Sequence, residues 1–491
     1  MPHSHIFVRD SDQSLSEALA ALRLEFELPQ DFSPEVMAEL EQSIKDYDAP
    51  TADLSQLGFI TIDPPSSMDL DQAMFLCREG QGYRVYYAIA DVPAFVPAGG
   101  TLDAETRKRG QTIYLPDQVV PLHPTKLSEA AASLLAQQRR GAFVWQIVLD
   151  ASGKTVSAVV GRAVISSIAK LGYQQAQDEL TAQTESAYLE TLKLLEEIGL
   201  KRIQLERERG GASLNSPQQE IVHENGEYSL IFRPNLAIED WNAQISLLTG
   251  MAAARIMLDG KIGILRTMPA PDPAAIAKFR HQAVALGKPW PAELAYGEFL
   301  RSLDAADPKQ LALLHDATSL FRGAGYTNFD GELPPNPGQA AVAAPYAHTT
   351  APLRRLVDRF VLTICDALSN NQPAPQWARE ALPSLPALMA ASDQLAGKVE
   401  RAALDTIEAA LLSTRVGQDF DAVVVAGARK SGGEKNGDTR CAVQLREPAV
   451  NAPCEGDLAP GTEVTVRLLR ADIHSRKVLF TVSPAKTNSA G

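Results

Sequence analysis

The sequence contains no stretch of about 18 apolar residues and no basic-then-apolar N-terminus, so neither a membrane-spanning helix nor a secretory leader is expected. Cysteine is scarce. Cys77, Cys365, Cys441 and Cys454 are scattered, and no two stand at the short spacing of a zinc site. Free thiols in a reducing compartment are the expected state, with a Cys441–Cys454 disulfide the one conceivable pairing. Positive charge is in deficit: 46 Lys and Arg against 60 Asp and Glu leave a net charge of −14. That is the wrong sign for a protein that coats nucleic acid nonspecifically through phosphate neutralisation. It leaves room for an enzyme whose basic channel lies inside an acidic shell. Internal repeats and long low-complexity tracts are also absent, so a repeat architecture is not expected. A soluble cytoplasmic monomer with no membrane partner fits these absences.

What is present is an ordinary globular composition, 45% hydrophobic over 491 residues, a length at which two or three domains are expected. Leu15, Leu19, Leu22 and Phe26 share one face of a helix over 14–28, and Ser33-Pro34-Glu35 opens a second through Met37, Leu40 and Ile44. Polar residues 46–55 read as a linker. From Gly58 the pattern turns strand-like, at 59–62, 73–76 and 83–89. Helical stretches at 187–208, 244–258, 311–321 and 353–368 make the middle of the chain one large mixed domain, and 328–344, rich in Pro, Gly and Ala, reads as a loop. A helix over 395–413 closes that domain, with Val399, Ala403, Ile407, Ala410 and Leu411 on its apolar face. Beyond Gly417, short β patterns at 421–426, 441–445, 463–469 and 478–482 fit a small barrel of the oligonucleotide-binding (OB) type. The fold class is therefore α+β. A short, mostly helical region (1–55) precedes a large mixed α/β domain (56–414), a β-barrel (415–485) and a tail (486–491).

Three carboxylates, Asp63, Asp69 and Asp71, stand at the end of one apolar strand and the start of the next. Residues two apart in an extended chain share a face, so Asp69 and Asp71 point the same way, and the bend at Pro64 to Ser67 can bring Asp63 beside them. Like charges held together raise one another's pKa unless a cation neutralises them. An all-oxygen set suits a hard ion, Mg²⁺ or Mn²⁺, which hydrolyses phosphodiesters by generating hydroxide and stabilising the leaving oxygen, often as a pair of ions. From spacing alone, a solvated acidic turn is the simpler reading.

A second constellation holds Tyr346, His348, Pro352, Arg354, Arg355 and Asp358. Pro352 suits a first helical turn, which sets Arg354 and Arg355 at the positive end of a helix dipole, where phosphate binds. An arginine fork clamps phosphate in two-point fashion. Taken alone, the arginines read more simply as ion-pair partners of Asp358, and His348 as a structural residue.

Together these segments resemble the ribonuclease II and ribonuclease R family, which couples a catalytic ribonuclease domain to a C-terminal S1 barrel. The resembling residues run in order: Gly58 to Asp63 with Asp69-Leu70-Asp71; Tyr87 to Val92; Ile113 to Pro116; Leu127-Ser128 with Ser133-Leu134; Tyr346 to His348 with Pro352 to Arg355; and 417–480 for the barrel. The resemblance implies processive, hydrolytic 3′-to-5′ degradation of single-stranded RNA to nucleoside 5′-monophosphates, with structured RNA a further candidate. It implies that Asp63, Asp69 and Asp71 hold Mg²⁺ or Mn²⁺, that Asp71 is catalytic, and that Arg354 stabilises charge on the scissile phosphate. Tyr114 and Tyr173 match tyrosines that stack the last bases, and Gln244, His348 and Arg355 complete the implied RNA contacts. Contacts to the 2′-OH would favour RNA over DNA.

The sequence departs from the family in several places. Gln72 stands where the acidic run usually ends in a fourth aspartate. An amide oxygen brings no charge, so Gln72 is expected to be a weak ligand and one of two ions to depend on substrate phosphate. The stretch 209–215 lacks the aromatic that forms one jaw of the base clamp in some relatives, and 242–244 is uncharged where some carry glutamate. Typical members begin with two cold-shock barrels; with a short helical region in that place, a more open RNA path is expected. In the S1 barrel, affinity for RNA is expected to rest on Phe420, Arg467, Arg470, Arg476 and Lys477. Two other readings stand beside the exoribonuclease. One is a catalytically decayed RNA-binding protein of the same family, which Gln72 motivates. The other is a metal-dependent phosphodiesterase for DNA or small nucleotides, against which the barrel argues.

Overall fold

Asp12 accepts the backbone N–H groups of Ser14 and Leu15 and so starts helix α1 (Gln13–Glu25). Ser33 caps α2 (Pro34–Lys45) in the same way through Val36, with Pro34 in the first turn, where no N–H is needed. The computed structural model describes residues 7–9, 12–212, 218–233, 235–430 and 439–483. Segment 46–55 is docked rather than free: Leu54 donates to Val164 O, Val164 donates to Ala52 O, and Asp53 pairs with Arg139.

Strands β1 (Phe59–Ile62), β2 (Gln72–Glu79), β3 (Gly82–Ala90), β4 (Arg139–Leu149) and β5 (Thr155–Leu171) close into a barrel. Neighbours run antiparallel except β1 and β5, which meet in parallel and shut it. The last two strands were not singled out by their pattern. One face of the sheet, with Ile60, Met74, Tyr87 and Trp145 in register, packs against helices α3 (Leu189–Arg209), α4 (Ala237–Gly260) and α5 (Leu356–Ser369) through Ile198, Ile245 and Phe360. The opposite face buries Phe59, Ala73, Ala88 and Val144 with Val36 and Leu40 of α2. Because both faces are covered, β1 and β3 read as nearly continuous apolar runs.

Helix α6 (Leu385–Leu412) begins ahead of the expected residue 395, with Pro386 in its first turn and Leu385 and Met389 already buried. It leads into a second closed barrel of β6 (Asp419–Lys430), β7 (Thr439–Leu445), β8 (Asn451–Glu455), β9 (Glu463–Asp472) and β10 (Lys477–Val482), in the order β6-β7-β8-β10-β9. Leu15 and Leu19 of α1 and Ile407 and Leu411 of α6 join this barrel's core, so the two barrels are bridged by helices. Alternation along β6 turns Phe420 inward, where it packs edge-on against Phe480, which corrects its expected place on an RNA-facing surface. Arg467, Arg470 and Arg476 are paired with Asp419, Asp472 and Glu25. Cys441 and Cys454 stand opposite each other in register, and all four cysteines are free thiols. Among the described residues, no helix is long and apolar enough to cross a membrane.

Candidate active site

Asp63 leaves β1 at the barrel rim, its N–H bonded to Leu171 O at 3.0 Å. The bend that follows is pinned from two sides. Lys170 Nζ donates to Pro65 O at 2.8 Å and also to Ser67 O, while Ser133 Oγ donates to Met68 O at 2.6 Å and accepts from Leu70 N at 3.1 Å. Asp69 and Asp71 therefore emerge from a fixed turn. Asp71 is only 4% exposed; its Oδ1 accepts from Leu353 N at 2.8 Å, and its Oδ2 lies 3.7 Å from Arg354 Nε. Tyr114 Oη donates to Asp69 Oδ2 at 3.4 Å.

This crowding shows in the electrostatics. Burial first, and then the Asp69 charge, push the Asp63 carboxyl up to about 6, and its buried Oδ2 has no hydrogen-bond partner. Burial holds Asp71 well above the usual carboxylate range, against the opposing pull of Arg354 and the Leu353 N–H. Among the described residues, no group of three or more His, Cys, Asp or Glu side chains is arranged to hold a metal ion by itself. An open carboxylate set with an unpartnered buried oxygen fits Mg²⁺ or Mn²⁺, ions that usually keep water and substrate phosphate among their ligands.

The arginine segment is held by side chains. Gln72 Nε2 donates to Thr350 O at 2.7 Å, Ala351 N donates to Asp358 Oδ1 at 2.7 Å, and Leu353 N is taken by Asp71. These three hydrogen bonds keep 350–354 in a turn, so α5 begins at Leu356 rather than 353 and Pro352 precedes the helix. Arg355, the cap residue, puts Nε and Nη2 on Asp358 at 2.9 and 2.8 Å. The ion-pair reading thus describes Arg355, while Arg354 keeps 47% of its side chain exposed. On the far side, Thr112 N donates to Arg354 O and Leu356 N to Gly110 O, both at 3.0 Å, which carries Tyr114 alongside Arg354. Gly110, at φ +71°, ends a short helix over Thr101–Arg109 in a conformation that favours glycine.

A cavity of about 390 Å³ opens here, lined by Tyr114, Tyr326, His348, Arg354, Arg355 and Asp393 among others. Tyr326 Oη shares a 2.7 Å hydrogen bond with His348 Nδ1, and burial, with Arg355 and Arg266 nearby, holds the imidazole neutral. Tyr326 and Arg266, which lies over the Tyr326 ring at 4.6 Å and pairs with Asp393 at 2.8 Å, went unnoticed in the sequence because neither sits in a motif. Gly250 lets the chain before His348 press on α4: a Cβ there would meet the Tyr346 ring at 2.1 Å. Tyr173 is close enough to feel the Asp63 charge, with the Asn242 side chain beside it. Gln244, two residues along α4, turns to another face, where its Nε2 donates to Glu206 at 2.7 Å in the buried seam with α3, and among the described residues no hydrogen bond joins it to Asp63, Asp69 or Asp71. Gln72 Oε1 accepts from Tyr87 Oη at 2.7 Å. Residues 213–217, which include the last three residues of the 209–215 stretch expected to lack a clamp aromatic, lie outside the described residues.

Residues 51–370 match the RNB domain family and residues 418–483 the RNase II-type exonuclease C-terminal S1 domain. Ribonuclease R of Escherichia coli (strain K12) is 30% identical over 359 residues, 70% of this chain and 43% of that protein. Exoribonuclease 2 of Actinobacillus pleuropneumoniae serotype 7 is 27% identical over 345 residues, 62% of this chain and 50% of that protein. The chain thus spans half or less of the length of these curated relatives. Apo RNase R of Mycoplasma genitalium matches with a TM-score of 0.84 and 20% identity over 96% of this chain and 78% of that one. Yeast Ssd1, described as a pseudonuclease, matches with a TM-score of 0.67 and 18% identity over 94% and 59%. At such identities, the structural likenesses establish the shared fold.

Proposed function

Because the chain belongs to the RNB domain family and carries the RNase II-type S1 domain at its C-terminal end, we propose that it is a processive, hydrolytic 3′-to-5′ exoribonuclease, a cytoplasmic monomer that releases nucleoside 5′-monophosphates from single-stranded RNA. The observation that carries this reading is the meeting of Asp71 with Arg354, which come from distant parts of the chain, beside Asp63, Asp69 and Tyr114. A divalent ion held by Asp63, Asp69 and Asp71 would supply a deprotonated water and counter-charge for the phosphate. Arg354 touches Asp71 loosely, beyond hydrogen-bond length, so its guanidinium is free to close on an arriving phosphate and to stabilise the charge that builds there. Half-exposed Tyr114 is placed to stack on a terminal base, and Tyr173 lies on the Asp63 side of the cluster. Neutral His348 contributes shape and polarity to the cavity rather than charge.

The test is 5′-labelled single-stranded RNA with Mg²⁺ or Mn²⁺, comparing the wild type with Asp71→Asn. A ladder that shortens from the 3′ end and weakens by a hundredfold or more in the variant is expected; internal cuts, or a variant as active as the wild type, contradict the reading. Gln72 favours one alternative, an RNA-binding protein that has lost catalysis. Tight RNA binding with no shortening by the wild type would decide for it.

A further inference from the structure

Gln72 occupies the position at which a metal ligand is expected, yet both ends of its amide are already used. Its Nε2 donates to Thr350 O and its Oε1 accepts from Tyr87 Oη, each at 2.7 Å. The orientation of the amide follows from its partners, since a backbone carbonyl can only accept, so nitrogen faces Thr350 and oxygen faces the tyrosine. The tyrosine is fixed in turn. Tyr87 is fully buried, and its hydroxyl is 2.7 Å from Ser246 Oγ on α4. With its proton given to Gln72, the tyrosine oxygen accepts from Ser246, and the chain Ser246–Tyr87–Gln72–Thr350 is complete from helix to loop.

Where the chain ends gives it a function. Thr350 opens the turn that presents Arg354, and the residue just before Gln72, Asp71, bonds the same turn at Leu353 N. Neighbouring residues of an extended strand point to opposite sides, so Asp71 and Gln72 grip the 350–353 stretch at two points instead of one. A carboxylate at position 72 would set an acceptor against the Thr350 carbonyl and lose this second grip.

Building on the exoribonuclease reading, we infer that Gln72 is a positioning residue: it straps the Arg354 loop to the barrel and is not a metal ligand. Metal binding then rests on Asp63, Asp69 and Asp71, completed by substrate phosphate. The strap acts on the reacting centre only through the loop, so its loss lowers the rate of chemistry and leaves the affinity for RNA and for metal nearly unchanged.

Three variants test this: Gln72→Met, which keeps the length and loses both hydrogen bonds; Gln72→Glu, which keeps an acceptor and loses the donor; and Tyr87→Phe, which leaves the Thr350 bond and frees the amide oxygen. Mn²⁺ binding to the RNA-free protein, hydrogen exchange of residues 350–355, and single-turnover cleavage at saturating RNA are measured for each. In both Gln72 variants, loop exchange is expected to quicken about tenfold and the cleavage rate to fall about tenfold, with the dissociation constants for Mn²⁺ and RNA within threefold of wild type. Tyr87→Phe is expected to fall between these variants and the wild type. A Mn²⁺ affinity that changes more than tenfold while loop exchange stays at the wild-type rate would overturn the strap in favour of a ligand. Unaltered exchange in both Gln72 variants overturns it as well. Loop exchange needs neither RNA nor metal, so it decides the strap even if the wild type cleaves no RNA, an outcome that would count against the exoribonuclease reading alone.

Discussion

Asp358 is fully buried, and its two oxygens take three hydrogen bonds, one from Ala351 N and two from the Arg355 guanidinium. The carboxylate thereby occupies one arginine of the pair and leaves the other to face the cavity. Removing it strands a largely buried cation and an unpaired N–H, and breaking a buried pair from one side costs about 3–5 kcal/mol. Asp358→Ala is therefore expected to lower the free energy of unfolding, read from urea titration, by that amount, while Asp358→Asn, which keeps an acceptor for Ala351, loses less. Equal stability of the two variants would mean that Arg355 finds another partner. The i, i+3 spacing of Arg355 and Asp358 made their pairing readable from the sequence. Arg354 has no such local partner, and its approach to Asp71 depends on how strand and loop are packed.

Helix α6 serves three surroundings along one length: Asp393 at the cavity, Val399 and Ala403 against the segment that carries Tyr114, and Glu408 at the C-terminal barrel. Glu408 is buried between strands, its Oε1 accepting from Gln219 Nε2 at 2.6 Å and Asn451 N at 3.3 Å. Burial pushes its carboxyl up to about 7, with Asp405 adding to the shift. The unfolded chain loses this proton near its ordinary value of 4.5. Between there and about 7 the folded protein holds a proton that the unfolded chain has lost, so stability falls as pH rises through that window and the penalty is complete above it. Glu408→Gln keeps the acceptor and removes the charge. Its free energy of unfolding in urea should exceed that of the wild type by about 3 kcal/mol at pH 8 and match it at pH 4; a gain of the same size at both pH values would mean that the charge is not the cause.

At the scale of the molecule, α1 ties the C-terminal barrel to the segment that carries Tyr114. Leu15 and Leu19 enter the core of the C-terminal barrel, Leu22 packs with Ile113 and Val120, and ion pairs reach both sides, Glu25 to Arg476 and Arg23 to Asp117. The helix thus sets the S1 barrel relative to Tyr114. Leu19→Ala is expected to cost about 2–5 kcal/mol, as deletion of a buried leucine does. It should also weaken binding of a strand long enough to reach the S1 barrel several-fold while leaving a tetranucleotide within twofold. Equal weakening of both would place the damage in the first barrel.

What the sequence determined by itself is what neighbours along the chain decide. The helix start at Ser33, the bend after Asp63 that lets Asp69 and Asp71 come beside it, and four of the five strands of the S1 barrel follow from spacing and propensity over a few residues. Tertiary structure alone decided which polar atoms are already spent. It occupied Arg355 and spared Arg354, turned Gln244 into a helix seam and Phe420 into a core, and drew Gln72 into a bond with Thr350. The physical reason is that a side chain's partner is set by packing between segments hundreds of residues apart, and periodicity carries no information about that distance.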